Sequence, residues 1–137
     1  MSNRQLVLDA INNKPTERIP VGFWFHFAKE EEFTKGLTDA SIIRKNIEGH
    51  LKFYREFQPD LVKLMSDGFF DYPNQALHNA KKAADLKGLK PAGPDHPWIT
   101  KQVELVKALT FSFGAEVLTF YNIFAPDRKS TRLNSSH

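Results

Sequence analysis

In Pro59-Asp60-Leu61-Val62-Lys63-Leu64-Met65-Ser66-Asp67-Gly68-Phe69-Phe70 a short apolar run is enclosed by turn-forming residues. The run, residues 61–65, has the length and β-branched character of a buried strand, although periodicity alone does not separate a strand from a helix segment. Pro59 hinders continuation of a preceding helix, and the polar residues 66–68 form a turn where the run stops. We therefore interpret the run as a strand that ends at Asp67.

Asp67 is the candidate catalytic residue because it follows this strand. Folds of the α/β class, and barrels in particular, place their chemistry at the carboxyl ends of parallel strands. The alternative role is structural, since an aspartate in such a turn also accepts backbone hydrogen bonds or caps the next element. The sequence leaves both roles open.

The composition is that of an ordinary soluble domain, with 137 residues of which 41% are hydrophobic and 26% charged. No apolar run approaches the roughly 20 residues of a membrane span, and the amino terminus lacks the charged-then-apolar order of a signal peptide. We therefore expect a cytoplasmic protein with no membrane partner. The absence of cysteine excludes disulfides and thiolate metal sites from this stretch.

The charge gives little support for nucleic-acid binding. The formal net charge is +3, but the final segment, residues 127–137, supplies part of it. The other residues carry 16 Lys and Arg against 15 Asp and Glu, a net charge of +1, and no basic stripe of the kind that follows a phosphate backbone. We expect no nucleic-acid partner.

Capping residues and hydrophobic periodicity predict helices that alternate with strands. Ser2, Asp39 and Pro97 each mark the start of a helix. The predicted helices span residues 2–12, 39–57 and 97–114, and the predicted strands span residues 21–25, 61–65 and 116–124. This order is the beginning of a βα alternation and implies a parallel sheet or barrel.

Further candidate residues surround the expected opening of the site. His26 follows the first predicted strand, and it is either a hydrogen-bonded structural imidazole or a proton donor or substrate contact on the same side as Asp67. His50, on the second helix, is interpreted as an outer or boundary residue. Seven aromatic residues form either core packing or the wall of a site for a weakly charged ligand. They are Phe23, Trp24, Phe25, Phe27, Phe69, Phe70 and Tyr72.

Residues 127–137 break the pattern, because they are small, polar and basic without any period. Such a segment is predicted to be disordered or loosely packed. It also resembles the conceptual translation of sequencing-adapter bases, so we treat it as a non-native tail and exclude it from the fold. On this interpretation residues 1–126 form the domain and are the front of a larger protein.

Residues 1–126 resemble the N-terminal part of the uroporphyrinogen decarboxylase family, whose members are TIM barrels. Residues 4–24 are similar to the family's opening helix and first strand, and residues 103–126 to a helix and strand that end in Ala-Pro. Between them, residues 59–67 are similar to the strand that carries the family's Phe-Ser-Asp motif. The resemblance implies an α/β fold with about three βα units, the N-terminal portion of a TIM (β/α)8 barrel.

The resemblance also implies a carboxy-lyase that acts on a tetrapyrrole or a related carboxylated small molecule. The family aspartate that matches Asp67 hydrogen-bonds the pyrrole nitrogens and stabilises the cation formed on ring protonation, after which an acetate side chain loses carbon dioxide. No cofactor is expected in this stretch, and a homodimer of the full-length protein is compatible with the resemblance. The expected substrate contacts are Trp24, His26, Phe27, Phe69 and Tyr72.

The chain departs from the family in the loop after the first predicted strand. The family normally has Arg-Gln-Ala-Gly-Arg there, whose arginines bind substrate carboxylates, whereas this chain has residues 26–30, His-Phe-Ala-Lys-Glu. The difference favours a less charged ligand. One alternative is a corrinoid-dependent methyltransferase-like member, which would use zinc and a corrinoid with ligands later in the chain. The other is an inactive truncated fragment, since three strands do not close an eight-stranded barrel.

Overall fold

Two parallel strands and the helices around them make up residues 2–122, the part of the chain that the structure, a computed structural model, describes. The elements in chain order are α1 (Asn3–Ile11), a 3-10 turn (Glu30–Glu32), α2 (Ala40–Phe57), β1 (Leu61–Leu64), α3 (Gln75–Asn79), a second 3-10 turn (Ala83–Leu86), α4 (Pro97–Phe113) and β2 (Leu118–Tyr121). None of the helices in this range is both long enough and apolar enough to cross a membrane.

The three long helices begin at the capping residues that the sequence predicts. The Ser2 hydroxyl accepts a hydrogen bond from the Gln5 N–H at 3.2 Å, and the Asp39 carboxylate accepts one from the Ser41 N–H at 2.9 Å. Helix α4 begins at Pro97, whose missing N–H costs nothing in a first helical turn. These predicted helix starts are confirmed because each depends on a local contact that a short sequence window contains.

The sheet joins β1 to β2 in parallel, with Leu61 opposite Leu118 and Leu64 opposite Tyr121. Helix α4 lies in the crossover between the strands and covers the sheet with Leu105. A crossover that contains a helix is the usual connection between parallel strands. The core of this unit is formed by Val62, Leu64, Phe69, Leu105 and Leu109.

The prediction of three βα units of a TIM barrel is wrong for residues 2–122, where the structure contains a single two-stranded sheet. Two of the three predicted strands form, as β1 and as β2. The predicted strand over residues 21–25 does not. There the Val21 N–H donates to the Asp60 carboxylate at 2.8 Å, and the Val21 carbonyl accepts from the Asp60 N–H at 2.9 Å. The Asp60 side chain thus accepts the Val21 N–H, which in a strand would donate to the backbone of a neighbouring strand.

Residues 18–27, which we call the extended segment, still alternate between two sides. Phe23 and Phe25 pack against Phe53 of α2, with ring centroids 5.3 and 5.7 Å away. Trp24 points the other way and contacts Phe120 of β2 at 6.4 Å. The segment therefore keeps the two-residue alternation of an extended backbone without the hydrogen bonding of a strand.

The Arg18 guanidinium fixes the start of the extended segment to the start of β1. Both of its terminal nitrogens donate to the buried Asp60 carboxylate, each at 2.6 Å. The hydrogen bonds from Arg18 and from the Val21 N–H hold the pKa of Asp60 below its usual value.

The predicted tail, residues 127–137, and the last two residues of the third predicted strand lie outside the described residues.

Candidate functional site

The structure brings His26 and Asp67 into contact, although 41 positions separate them in the chain. His26 Nδ1 lies 2.8 Å from Asp67 Oδ1. The aspartate side chain is completely buried, whereas 48% of the histidine side chain is exposed. Because a carboxylate only accepts hydrogen bonds, Nδ1 carries the proton and Nε2 is left to exchange a proton with a ligand. We call this pair the His26–Asp67 dyad.

The second oxygen of Asp67 holds the backbone of the extended segment. Oδ2 accepts hydrogen bonds from the Phe27 N–H at 2.7 Å and from the Ala28 N–H at 3.1 Å. The Asp67 carboxylate therefore accepts hydrogen bonds from three donors. Asp67 does not line the cavity that opens beside His26. The structural role that the sequence left open is therefore present, because one oxygen organises a turn and the other holds an imidazole, while the catalytic role of Asp67 stays a prediction.

Two aromatic rings fix the plane of the His26 imidazole. The Phe33 ring centroid lies 4.5 Å from it at a tilt of 38°, and the Phe70 ring meets it edge-on at 5.7 Å. Contacts of this geometry are favourable between aromatic rings. The imidazole is thus oriented by one hydrogen bond and two ring contacts before any ligand binds.

A cavity of about 240 Å³ opens beside the dyad. This volume is below the roughly 300–1,000 Å³ of sites for drug-sized ligands, so the cavity suits a small molecule. It combines aromatic rings with a few polar side chains. Its lining residues are Trp24, His26, Phe33, Lys63, Leu64, Met65, Ser66, Phe70 and Asn122.

Lys63 supplies a positive charge to the cavity wall. It lies on β1 between the buried residues Val62 and Leu64, and its Nζ is 4.5 Å from the Trp24 ring centroid. Within residues 2–122 no carboxylate forms an ion pair with it. The sequence contained a signal that could have identified Lys63 as a site residue, since it is the one charged residue in the apolar run 61–65.

Two polar side chains of α2 hold β1 from behind the cavity. His50 Nδ1 lies 2.7 Å from the Asn46 carbonyl oxygen and donates to it, while His50 Nε2 accepts the Met65 N–H at 2.9 Å. Asn46 Nδ2 in turn donates to the Met65 carbonyl at 2.9 Å. These bonds continue the pairing of the chain beyond the last residue of β1.

The interpretation of His50 as an outer or boundary residue is wrong, because its side chain is fully buried. This burial lowers its pKa. Sequence reasoning assigned polar residues of α2 to the solvent side. The spacing of Ile42, Asn46, His50 and Phe53 shows instead that all four share the buried side of the helix.

The six residues predicted for the site are only partly brought together. Trp24 and His26 line the cavity, and Asp67 lies behind His26. Phe27 packs on the His50 ring at 4.5 Å, and Phe69 belongs to the core. Tyr72 meets the Trp98 ring edge-on, with the ring centroids 5.4 Å apart. The lining residues that were not predicted as site residues are Phe33, Lys63, Leu64, Met65, Ser66, Phe70 and Asn122.

No cluster of three or more His, Asp or Glu side chains that could hold a metal ion is found among residues 2–122. Comparison of the chain with protein-family models, with curated proteins and with solved structures finds no match. The resemblance to the uroporphyrinogen decarboxylase family therefore stays a prediction, and the function has to be argued from the geometry of the site.

Proposed function

We propose that the cavity beside the His26–Asp67 dyad is the site of a carboxy-lyase-type reaction, in which His26 gives a proton to a carbon atom of a small carboxylated substrate. The observation that carries the proposal is the 2.8 Å contact between His26 Nδ1 and a completely buried carboxylate, with the imidazole on the cavity wall. A buried carboxylate that fixes the tautomer and orientation of a histidine is a recurring arrangement in general acid–base catalysis.

The reaction proceeds by proton transfer followed by loss of carbon dioxide. The protonated His26 transfers its Nε2 proton to a ring carbon, and the ring becomes positively charged. The bond between the ring system and the carboxylate then breaks, its electron pair neutralises the ring, and carbon dioxide leaves. His26 regains a proton from water, so each turnover consumes one proton and releases one carbon dioxide.

In this proposal Asp67 is a positioning residue. Its two oxygens already accept hydrogen bonds from His26, Phe27 and Ala28, so it acts on the substrate through the imidazole and through its negative charge. That charge is fixed beside the place where the ring becomes cationic, and a preorganised charge stabilises such an intermediate without reorganisation. This differs from the direct hydrogen bond to pyrrole nitrogens that the family resemblance implies.

The size of the cavity supports a substrate much smaller than a tetrapyrrole. About 240 Å³ accommodates one ring with its substituents. The presence of His26 where the family has a substrate-binding arginine loop supports the same conclusion, because fewer fixed positive charges suit fewer substrate carboxylates.

The proposal is tested by measuring carbon dioxide release from pyrrole-2-carboxylate and from pyrrole-2,4-dicarboxylate. We expect the wild type to release carbon dioxide and His26→Gln to be about 10²–10⁴-fold slower, the usual contribution of a general acid. His78→Gln is the matched control, since His78 is exposed and hydrogen-bonds the Tyr72 carbonyl away from the cavity. Equal rates for wild type and His26→Gln, or no release from either compound, would contradict the proposal.

A further inference from the structure

We infer that Lys63 and Trp24 form a binding site for a carboxylate that the substrate keeps, so that the cavity selects flat single-ring molecules with two carboxylates. The inference rests on the proposed function, because it names the substrate class of that same cavity. It is carried by a different observation, the unpaired ammonium on the cavity wall.

Lys63 differs from the other lysines of residues 2–122 by its place on the cavity wall, and like seven of them it lies within ion-pair distance of no carboxylate. Lys14, Lys45, Lys52 and Lys101 each lie within ion-pair distance of a carboxylate. Lys63 has no such partner among residues 2–122, and its ammonium lies over the Trp24 ring at 4.5 Å on a half-buried wall. Because the surrounding side chains remove part of its water, a carboxylate of a ligand would form a charge-assisted hydrogen bond there.

The remaining walls are shaped for a flat ring. Trp24, Phe33 and Phe70 present aromatic rings to the cavity, and Leu64 and Met65 provide apolar surface. Aromatic rings stack favourably at centroid distances of about 4.5–7 Å. With about 240 Å³ available, one ring fits between these walls while its carboxylate reaches Lys63.

The chemistry of decarboxylation assigns Lys63 to the retained carboxylate. An ammonium that bound the reacting carboxylate would stabilise the ground state more than the transition state, and would therefore slow the loss of carbon dioxide. Bound to a second carboxylate, the same charge holds the ring in place without opposing the reaction. The product is then a ring with one carboxylate, and simple aromatic carboxylates should bind as product mimics.

The test is titration of the protein with benzoate and with benzamide, followed by Trp24 fluorescence. The chain has two tryptophans, so all variants carry Trp98→Phe to leave Trp24 as the single reporter. We expect saturable binding of benzoate, weakened at least about tenfold by Lys63→Met and retained by Lys63→Arg, with benzamide equally weak in all variants. Lys107→Met, at an exposed position of α4, is the control that should leave benzoate binding unchanged.

Absence of benzoate binding, or equal binding to the wild type and Lys63→Met, would overturn the inference. Retained binding in Lys63→Arg shows that the positive charge is what benzoate binding requires, and an unchanged thermal unfolding midpoint of Lys63→Met excludes a folding defect as the cause of its weak binding. Binding that depends on Lys63, together with no release of carbon dioxide from either pyrrole compound, would overturn the proposed reaction and leave the anion site established. Release of carbon dioxide with no benzoate binding would overturn the anion site at Lys63 and leave the proposed reaction standing.

Discussion

Asp67 shows how a single buried carboxylate can organise a turn and hold a histidine side chain at the same time. Its location after a short apolar strand made it a candidate, because that location is visible in a few consecutive residues. Its hydrogen-bond donors were not predictable in the same way, since Phe27 and Ala28 precede it by 40 and 39 positions. Local patterns identify a residue, whereas its partners depend on how distant segments pack.

His50 makes the stability of the protein depend on pH. Burial lowers its pKa below the ordinary value of 6.5, and both ring nitrogens are already used by Asn46 and Met65. In the unfolded chain the ring takes up a proton near pH 6.5, so below that pH the unfolded state binds more protons than the folded state. We expect the free energy of unfolding to fall as the pH is lowered, by at most about 1.4 kcal/mol per pH unit from this residue.

Urea unfolding of the wild type and of His50→Gln between about pH 5 and pH 8 measures this effect. Glutamine can still accept the Met65 N–H but does not titrate, so the variant should lose less stability on acidification. His78→Gln serves as the comparison, because His78 is exposed. The assignment is wrong if the wild type and His50→Gln lose stability with the same slope.

At the scale of elements, the helices were predicted well and the extended segment was not. Helix starts depend on capping residues such as Ser2 and Asp39, which lie next to the helices they begin. Whether residues 21–25 join the sheet depends instead on Asp60, whose side chain accepts the Val21 N–H. Alternation predicts which side chains share a side, but it does not say what the backbone bonds to.

The Asp60 carboxylate should therefore control the order of the extended segment. In Asp60→Asn the negative charge is lost and one of the two acceptor oxygens becomes an NH2 donor, so the paired hydrogen bonds from Arg18 cannot both form and the Val21 N–H is held more weakly. We expect backbone amide exchange at Val21 to become about 10–100-fold faster, because hydrogen bonds to charged groups contribute about 1.5–3 kcal/mol. Hydrogen exchange followed by NMR measures this change.

Glu104→Gln is the control for the loss of a charge, since Glu104 pairs with Lys101 on the exposed side of α4. It should leave the exchange at Val21 unchanged. The lowered pKa of Asp60 also means that its contribution to stability persists as the pH falls from neutral, and disappears only as the pH drops through that lowered value. If amide exchange at Val21 is unaltered in Asp60→Asn, the Asp60 carboxylate does not control the order of the extended segment.

At the scale of the whole molecule, the hydrophobic pattern overstated how much apolar surface is buried. A two-stranded sheet with α4 on it buries a small core, and within residues 2–122 several large apolar side chains stay exposed. Phe57, the last residue of α2, is 55% exposed. The period of a helix identifies its apolar side, but the extent of burial depends on the surface that the rest of the fold offers.

The same tertiary arrangement produces the dyad, which no single element contains. His26 comes from the extended segment and Asp67 from the turn after β1, and the Arg18–Asp60 pair sets how these two segments lie together. Both residues were predictable as candidates, because each follows a predicted strand. Their contact was not predictable from spacing, because it depends on the path of a segment that does not join the sheet.

The most direct test of this arrangement is NMR of the His26 ring nitrogens at a pH where the imidazole is neutral. We expect the proton to reside on Nδ1 in the wild type, hydrogen-bonded to Asp67, and Asp67→Asn to reduce this preference. A proton on Nε2 in the wild type, or a tautomer ratio unchanged by Asp67→Asn, would show that the dyad does not exist and would contradict the proposed function with it.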